Sequence, residues 1–154
     1  SSDLTERGIK EPKSVFSQCF GAPFMPRPAS VYAKLLGEKI NQHSTVVYLI
    51  NTGWSGGPYG VGKRVKIKYS RAMVTAALTG ALDIVKYRHD DLFNVDIPTE
   101  VPDVPSEILD PRNTWTDKDS YDLSARKLAQ MFIENFKKFE NVSPEIVNAG
   151  PKLP

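Results

Sequence analysis

The sequence has little of what disulfide scaffolds, metal centres and membrane spans need. It holds one cysteine, Cys19, and two histidines, His43 and His89, among 154 residues. A single cysteine excludes an intrachain disulfide framework and is typical of a reducing compartment, so we expect a cytoplasmic protein. The histidines lie far apart without a companion at ligand spacing, which favours no metal site. No apolar run reaches membrane length, and a net charge of +2 favours neither a membrane nor a nucleic-acid partner.

The length and composition are those of one globular domain. Apolar residues make up 40% and charged residues 25% of the chain, and 154 residues can bury a real core. The polar residues 1–13 predict an exposed, mobile segment ahead of an α/β body at 14–154. Cys19 lies among aromatic residues, which favours a small buried hydrophobe over a nucleophile. The chain opens with Ser-Ser-Asp rather than Met, so we expect a piece of a longer polypeptide.

Hydrophobic periodicity predicts an α/β fold. Helices are predicted at 28–42, at 71–79 and at 120–139, with a last short one beginning at Ser143-Pro144. Strands are predicted at 46–50, 64–69, 84–87 and 93–97, with a short buried strand and turn at 16–25. Ser70 is the expected N-cap of the second helix and Gly80 its end. Residues 108–115 are expected to form a loop, and Glu134 and Lys138 an i,i+4 pair on the long helix.

A glycine-rich stretch at 51–70 separates the first apolar strand from the basic one. It holds five of the ten glycines together with Trp54 and Tyr59. Gly57-x-x-x-x-Gly62-Lys63 has the spacing of a phosphate loop, but Arg64 stands where such a loop has Ser or Thr, so the hydroxyl that would hold magnesium is missing. The alternative is a long hairpin turn. Both interpretations remain open on this evidence.

Five basic residues fall between Lys63 and Arg71. They predict a solvated strand face, a surface that contacts nucleotide phosphate, or a nucleic-acid surface, the last weakened by the low net charge. Trp54 and Tyr59 are suited either to stacking on a base or to packing against the sheet. No nucleophile with its base and no paired acid and base can be named, so no catalytic residue is assigned.

Several motifs, in one order, resemble the C-terminal part of ATP-dependent phosphoenolpyruvate carboxykinases. The resemblance covers nearly the whole chain. It rests on these stretches: Thr5-Glu6-x-Gly8-x-x-Glu11-Pro12, Cys19-Phe20-Gly21, Asn51-Thr52-Gly53-Trp54, Gly62-Lys63-Arg64, Ser70-Arg71-Ala72, Ile108-Leu109-Asp110-Pro111-Arg112-Asn113 and Ala149-Gly150-Pro151-Lys152-Leu153.

The resemblance implies a lyase of gluconeogenesis that decarboxylates oxaloacetate and phosphorylates the enolate with ATP. It also implies the mixed-sheet part of that family's C-terminal mononucleotide-binding domain, with a long C-terminal helix. The family's phosphate loop and its ligands for a divalent metal, Mg or Mn, would lie upstream, so this chain would be inactive alone. The glycine turn would then be a second loop that holds no phosphate.

Matched residue by residue, the resemblance implies that one strand of this chain contacts the nucleotide. Arg64 and Val65 match the family positions that hold the adenine end of ATP, and Ser70 stands where the family usually has Thr. Two positions depart from the pattern: Leu4 replaces a glycine near what resembles the family's closing lid, and Lys66 replaces a small polar residue. The alternative function is a non-catalytic nucleotide-binding module derived from the enzyme.

Overall fold

A computed structural model describes residues 2–3, 13–14, 16–17 and 21–154. These residues belong to two compact units, one formed by Ser1–Val46 with Glu134–Val147 and the other by Val47–Ile133 with Asn148–Pro154. Cys19 and most of the lid-like segment expected at 1–13 lie outside the described residues. No helix among the described ranges is long and apolar enough to cross a membrane.

The first unit contains the helix that the sequence predicts at 28–42. Strands β1 (Ser2–Asp3) and β2 (Lys13–Ser14) pair antiparallel, and α1 spans Ala29–His43. The helix begins after Pro28, whose fixed φ suits a helix start, and ends at Ser44, which has a left-handed φ of 50°. The buried strand expected at 16–25 is wrong in its described part, because Ala22–Phe24 is a 3-10 turn and Phe24 is 85% exposed.

The second unit begins with an extended segment and a hairpin. Residues 46–50 form no strand, against the prediction, because they make no backbone hydrogen bond with another described residue. Strand β3 (Trp54–Ser55) pairs antiparallel with β4 (Lys63–Arg64). The strand predicted at 64–69 is therefore cut short, and α2 (Ile67–Leu78) begins inside it.

Helix α2 covers the small core of this unit. Its N-cap position is Lys66 rather than Ser70, which lies inside the first turn, so the predicted capping role of Ser70 is wrong. Gly80 follows the helix with φ 74° and ends it as predicted. The buried core consists of Ala76, Leu82, Val101 and Val104.

A second, longer hairpin follows. Strand β5 (Tyr87–Asp90) pairs antiparallel with β6 (Val95–Pro98) through four residue pairs. The first strand begins three residues later than predicted, because Ala81–Ile84 continues from Gly80 as a 3-10 helix. The second strand begins two residues later than the predicted 93–97 and ends at Pro98, since proline has no amide to donate to a ladder.

Short and long helices complete the chain. The predicted loop at 108–115 is wrong: α3 (Ser106–Leu109) follows Pro105, and α4 begins with Pro111 (Pro111–Thr114). Prolines start these helices because their φ suits a first turn. Helix α5 spans Lys118–Phe136, close to the predicted 120–139, and α6 spans Pro144–Asn148.

The details predicted for α5 are partly wrong. Glu134 pairs with Lys137 at 2.7 Å, whereas Lys138 donates to Asn135. The buried positions are the small residues Ala125 and Ala129, whereas the larger side chains of Leu128, Met131 and Phe132 are about two-fifths exposed.

The mixture of helices and strands confirms the predicted α/β class. All three sheets of the described residues are two-stranded and antiparallel. The mixed sheet therefore remains a prediction, and so does the arrangement of 14–154 as one body.

Candidate functional site

The β3–β4 hairpin places the predicted nucleotide-contacting strand opposite an aromatic side chain. Trp54 lies directly across from Arg64, and Ser55 across from Lys63. One further bond extends the ladder, because the Val65 amide donates to the Gly53 carbonyl at 2.9 Å. The strand register therefore fixes the backbone positions of Arg64 and Val65 relative to Trp54 and Gly53.

The glycine turn closes this hairpin and does not lead into a helix. The amides of Val61 and Gly62 both donate to the Pro58 carbonyl, at 3.0 and 2.8 Å. Gly57 has a φ of 150°, and a side chain at Gly62 would clash with the Gly57 carbonyl. A phosphate loop joins a strand to a helix, whereas this turn joins two antiparallel strands. The hairpin interpretation of the glycine stretch is thus the one that the structure supports.

Aromatic side chains support the Arg64 guanidinium. Its central carbon lies 5.5 Å from the centroid of the Trp54 ring, within the range of a cation–π contact. Trp54 in turn meets Tyr59 edge-on, with ring centroids 5.6 Å apart and planes at 85°. Arg64 itself is exposed, so its guanidinium is held on one side by an indole and remains accessible to a ligand. Sequence reasoning missed this support, because it depends on the strand register.

The three predicted site residues occupy three different local structures. Arg64 ends β4, Val65 is half-buried in the link that follows, and Ser70 lies one turn into α2. The Ser70 amide donates to the Lys66 carbonyl at 3.2 Å, while its hydroxyl makes no hydrogen bond with a described residue. The Ser70 side chain therefore has its hydrogen-bonding capacity left for a ligand.

The basic residues around this hairpin have no carboxylate partner among the residues that the structure describes. The sequence contains no Asp or Glu between Glu38 and Asp83. Within the described part of the chain, no ion pair includes a basic residue of 63–71. The Lys66 and Lys68 ammonium groups instead lie 5.9 and 4.9 Å from the Tyr69 ring centroid. This stretch is consequently a concentration of positive charge that no described carboxylate pairs with, and it would attract an anionic ligand.

A second cluster of basic residues in the same unit contains Arg88 and Arg112, which form ion pairs with Asp110 and Asp122. It lines an open cavity of about 650 Å³ beside β5 and α5. Arg112 makes a bidentate contact with Asp122, at 2.8 and 3.0 Å, and Arg88 lies 3.3 Å from Asp110. The hydrogen bond from Arg112 lowers the pKa of the Asp122 carboxyl below its ordinary value. Arg112 belongs to the motif at 108–113, but nothing in the sequence identified Asp122 as its partner.

The two histidines lie in regular elements and not in loops. His43 ends α1, where a cation is favourable at the helix C-terminus, and the His89 Nδ1 lies 2.9 Å from an Asp96 oxygen across β5 and β6. In the part of the chain that the structure describes, no group of three or more His, Cys, Asp or Glu side chains could hold a metal ion. The described residues therefore do not fit a divalent metal site.

Comparison with known proteins agrees with the motifs. A family model described as phosphoenolpyruvate carboxykinase matches residues 2–107. The chain is 63% identical over 148 residues to the ATP-type phosphoenolpyruvate carboxykinase of Caldanaerobacter subterraneus subsp. tengcongensis, and 59% identical over 149 residues to that of Fusobacterium nucleatum. The corresponding protein of Thermus thermophilus is 55% identical over 149 residues.

These three matches each cover 96% of this chain and 28% of the relative. The chain therefore belongs to the ATP-dependent phosphoenolpyruvate carboxykinase family. It spans a little over a quarter of the length of the curated relatives it matches, and the predicted family resemblance is confirmed.

Proposed function

We propose that this chain is part of an ATP-dependent phosphoenolpyruvate carboxykinase and supplies the strand that contacts the adenine of ATP. The complete enzyme would convert oxaloacetate and ATP into phosphoenolpyruvate, ADP and carbon dioxide in the cytoplasm. Family membership supports the reaction, and the β3–β4 hairpin supports the part played by this chain. Neither a nucleic acid nor a membrane is among the proposed partners.

The observation that carries the assignment is the position of Arg64. Its guanidinium lies over the Trp54 ring, and no described carboxylate forms an ion pair with it. A guanidinium in this position can stack on a planar base, or it can fork onto polar atoms of the ligand. Val65 offers apolar surface beside it, and the unbonded Ser70 hydroxyl can donate to a ligand oxygen or nitrogen.

The chemical step is assigned to the rest of the family's polypeptide. Phosphoryl transfer from ATP needs a divalent metal, Mg or Mn, to neutralise charge on the phosphates. Because the described residues do not fit such a site, the metal ligands and the phosphate loop are proposed to lie upstream of this chain. What this chain does in the reaction is to bind and orient the nucleotide at its base end.

The same proposal extends to the fold. The helices and antiparallel sheets described above are consistent with the family's C-terminal mononucleotide-binding domain. We assign 14–154 to the body of that domain and 1–13 to a lid-like segment. The expected mixed sheet would then be completed by strands outside this chain.

The test uses a family-length enzyme in which this chain replaces the matching stretch of the Caldanaerobacter relative, here called the chimaera. Arg64→Ala should raise the KM for ATP by roughly 5- to 150-fold, equivalent to losing one charged contact of about 1–3 kcal/mol. The kcat should change much less, because the base is remote from the transferring phosphoryl group. Titration of ATP at saturating oxaloacetate measures both constants.

Lys66→Ala is the matched control. Lys66 is an exposed cation two residues away, and it lies outside the positions matched to the family's adenine contacts. Its replacement should change the KM for ATP far less than Arg64→Ala does. If the two variants weaken ATP equally, the stretch acts as a diffuse basic patch and the assignment of Arg64 is wrong.

The non-catalytic module remains the second candidate. It predicts nucleotide binding without turnover in any polypeptide that carries this chain. Oxaloacetate-dependent phosphoenolpyruvate formation by the gene's own complete product would exclude it. A product that binds ATP but shows no turnover would favour it.

A further inference from the structure

Helix α2 carries apolar residues on two opposite sides. Its inner side holds Ala76, 3% exposed, and packs into the core. Its outer side holds Ile67, Val74 and Leu78, which are 72%, 44% and 82% exposed. These three residues are spaced by seven and four positions, so they form one row along the helix, opposite Ala76. We call them the outer row.

Single exposed apolar side chains are ordinary, but the outer row is three such side chains in line, and two of them are more than 70% exposed. Ser70, Arg71 and Thr75 flank the row, and the inner side of the helix is apolar as well. Helix α5 shows the contrast: Leu123 is 70% exposed there, but its neighbours along the helix surface are Asp119, Ser120, Arg126 and Lys127. A helix that is apolar on both sides is typical of one buried between two layers.

We propose that the outer row is a docking surface covered by the part of the family's polypeptide that this chain does not contain. The proposal rests on the proposed function, since it takes the chain to work within a family-length enzyme. The relatives carry more than twice as much sequence outside the matched stretch as within it. That sequence is the occupant to which the proposal commits. Arg71, in the middle of the row, requires a carboxylate or carbonyl partner on the covering surface.

The test measures how accessible the row is in the chimaera. Leu78→Cys and Leu123→Cys introduce the same thiol at two positions that are equally open in this chain, and peptide mass spectrometry separates both from Cys19. Iodoacetamide should alkylate the thiol at position 78 at least about tenfold more slowly than the thiol at position 123. Equal rates in a folded, active chimaera would overturn the proposal. Val74→Cys repeats the measurement if Leu78→Cys fails to fold.

A second copy of the chain is the competing occupant. Sedimentation across a hundredfold range of concentration, with alkylation rates measured at each, separates the two cases. Protection of position 78 in a monomer supports the proposal, whereas protection that appears only on dimerisation overturns it. The readout is independent of ATP, so a failure of the Arg64 assignment would leave this result intact.

Discussion

The basic side chains at the two hairpins of the second unit have different kinds of partner. Around β5 and β6, Arg88 faces Asp110 and His89 faces Asp96. Around β3 and β4, Arg64 and the neighbouring lysines contact aromatic rings, and no described carboxylate reaches them. A paired cation holds the protein's own segments together, and an unpaired one is available to a ligand.

The difference in partners also affects the stability of the two stretches. Five cations within nine residues repel one another, and the nearest acidic residues in the sequence, Glu38 and Asp83, lie outside this stretch. That repulsion is relieved when an anionic ligand binds, so the stretch is more stable with its ligand than without it. In the cluster around Arg112, an anion would compete with the carboxylates that already pair with Arg88 and Arg112. Because adenine is neutral, this charge can attract only the phosphates of ATP, and the proposed adenine contact depends on the match of Arg64 and Val65 to the family positions.

The largest effect should follow from breaking the first hairpin. Gly62→Ala would place a methyl group against the backbone carbonyl of Gly57, a neighbour that cannot rotate away. We expect the turn to open, with a loss of about 1–3 kcal/mol in the free energy of unfolding, as for other overpacked sites. The KM for ATP of the chimaera should rise as well, because the turn sets the strand register. Urea unfolding and ATP titration measure the two effects.

Gly60→Ala is the control for this variant. Gly60 has a φ of 87°, but no atom would lie within 4 Å of an added methyl group. Its replacement therefore carries backbone strain without a clash. A loss for Gly60→Ala as large as that for Gly62→Ala would show that strain and not close packing determines the turn.

A smaller effect should follow from removing a pair at the second cluster. Asp122→Asn abolishes the ion pair with Arg112, and both side chains are partly in water, so the loss should be below that of Gly62→Ala. The pKa of Asp122 is lowered in the folded state, so its contribution to stability is present above the ordinary pKa of about 3.8 and is lost as pH falls below it. The variant should therefore unfold with a weaker pH dependence below pH 4. Thermal unfolding from pH 7 to pH 2 measures this.

Asp91→Asn supplies the comparison for that measurement. Asp91 is an exposed carboxylate of the same cavity, and no described residue forms an ion pair with it. Its replacement should leave the acid limb of the stability curve unchanged. A wild-type pH dependence in Asp122→Asn, matching that of Asp91→Asn, would contradict the stabilising role of the Arg112 pair.

Local sequence patterns predicted the parts of this fold that depend on neighbouring residues. The helix after Pro28, the end of α2 at Gly80 and the hairpin turn all follow from residues within a few positions. The strand at 46–50 was predicted from its apolar run alone, and it is wrong because a strand exists only where another strand bonds to it. No such partner is present among the described residues.

Features that depend on pairing across the chain could not be predicted. The Trp54 support beneath Arg64 needs the register of β3 and β4, and the Arg112–Asp122 pair needs the placement of α4 against α5. Even between adjacent residues, the choice of Lys137 over Lys138 as partner of Glu134 depends on local geometry, because α5 ends at Phe136 and both lysines lie in the turn that follows. The assignment of Arg64, Val65 and Ser70 to ATP remains a prediction until the titrations above are made.

The smallest effect should arise at Tyr48, where the two regions meet. Its hydroxyl donates to Asp83, the first acidic residue after the carboxylate-free stretch, at 3.1 Å. Partial burial, and then the hydrogen bonds to Tyr87 and Asp83, raise the pKa of Tyr48 to about 12. With a folded pKa above the ordinary value of 10, the group contributes fully to stability below pH 10 and loses that contribution as pH rises toward 12.

The stability of Tyr48→Phe should therefore depend less on pH between pH 10 and 12 than that of the unchanged protein. In an absorbance titration of the tyrosines, the variant should lack the one phenol that ionises near pH 12. Tyr59→Phe, which removes an exposed phenol with no described hydrogen bond, should leave the titration near pH 12 in place. If the two variants lose the same titration, the bond from Tyr48 to Asp83 does not join the two regions in solution.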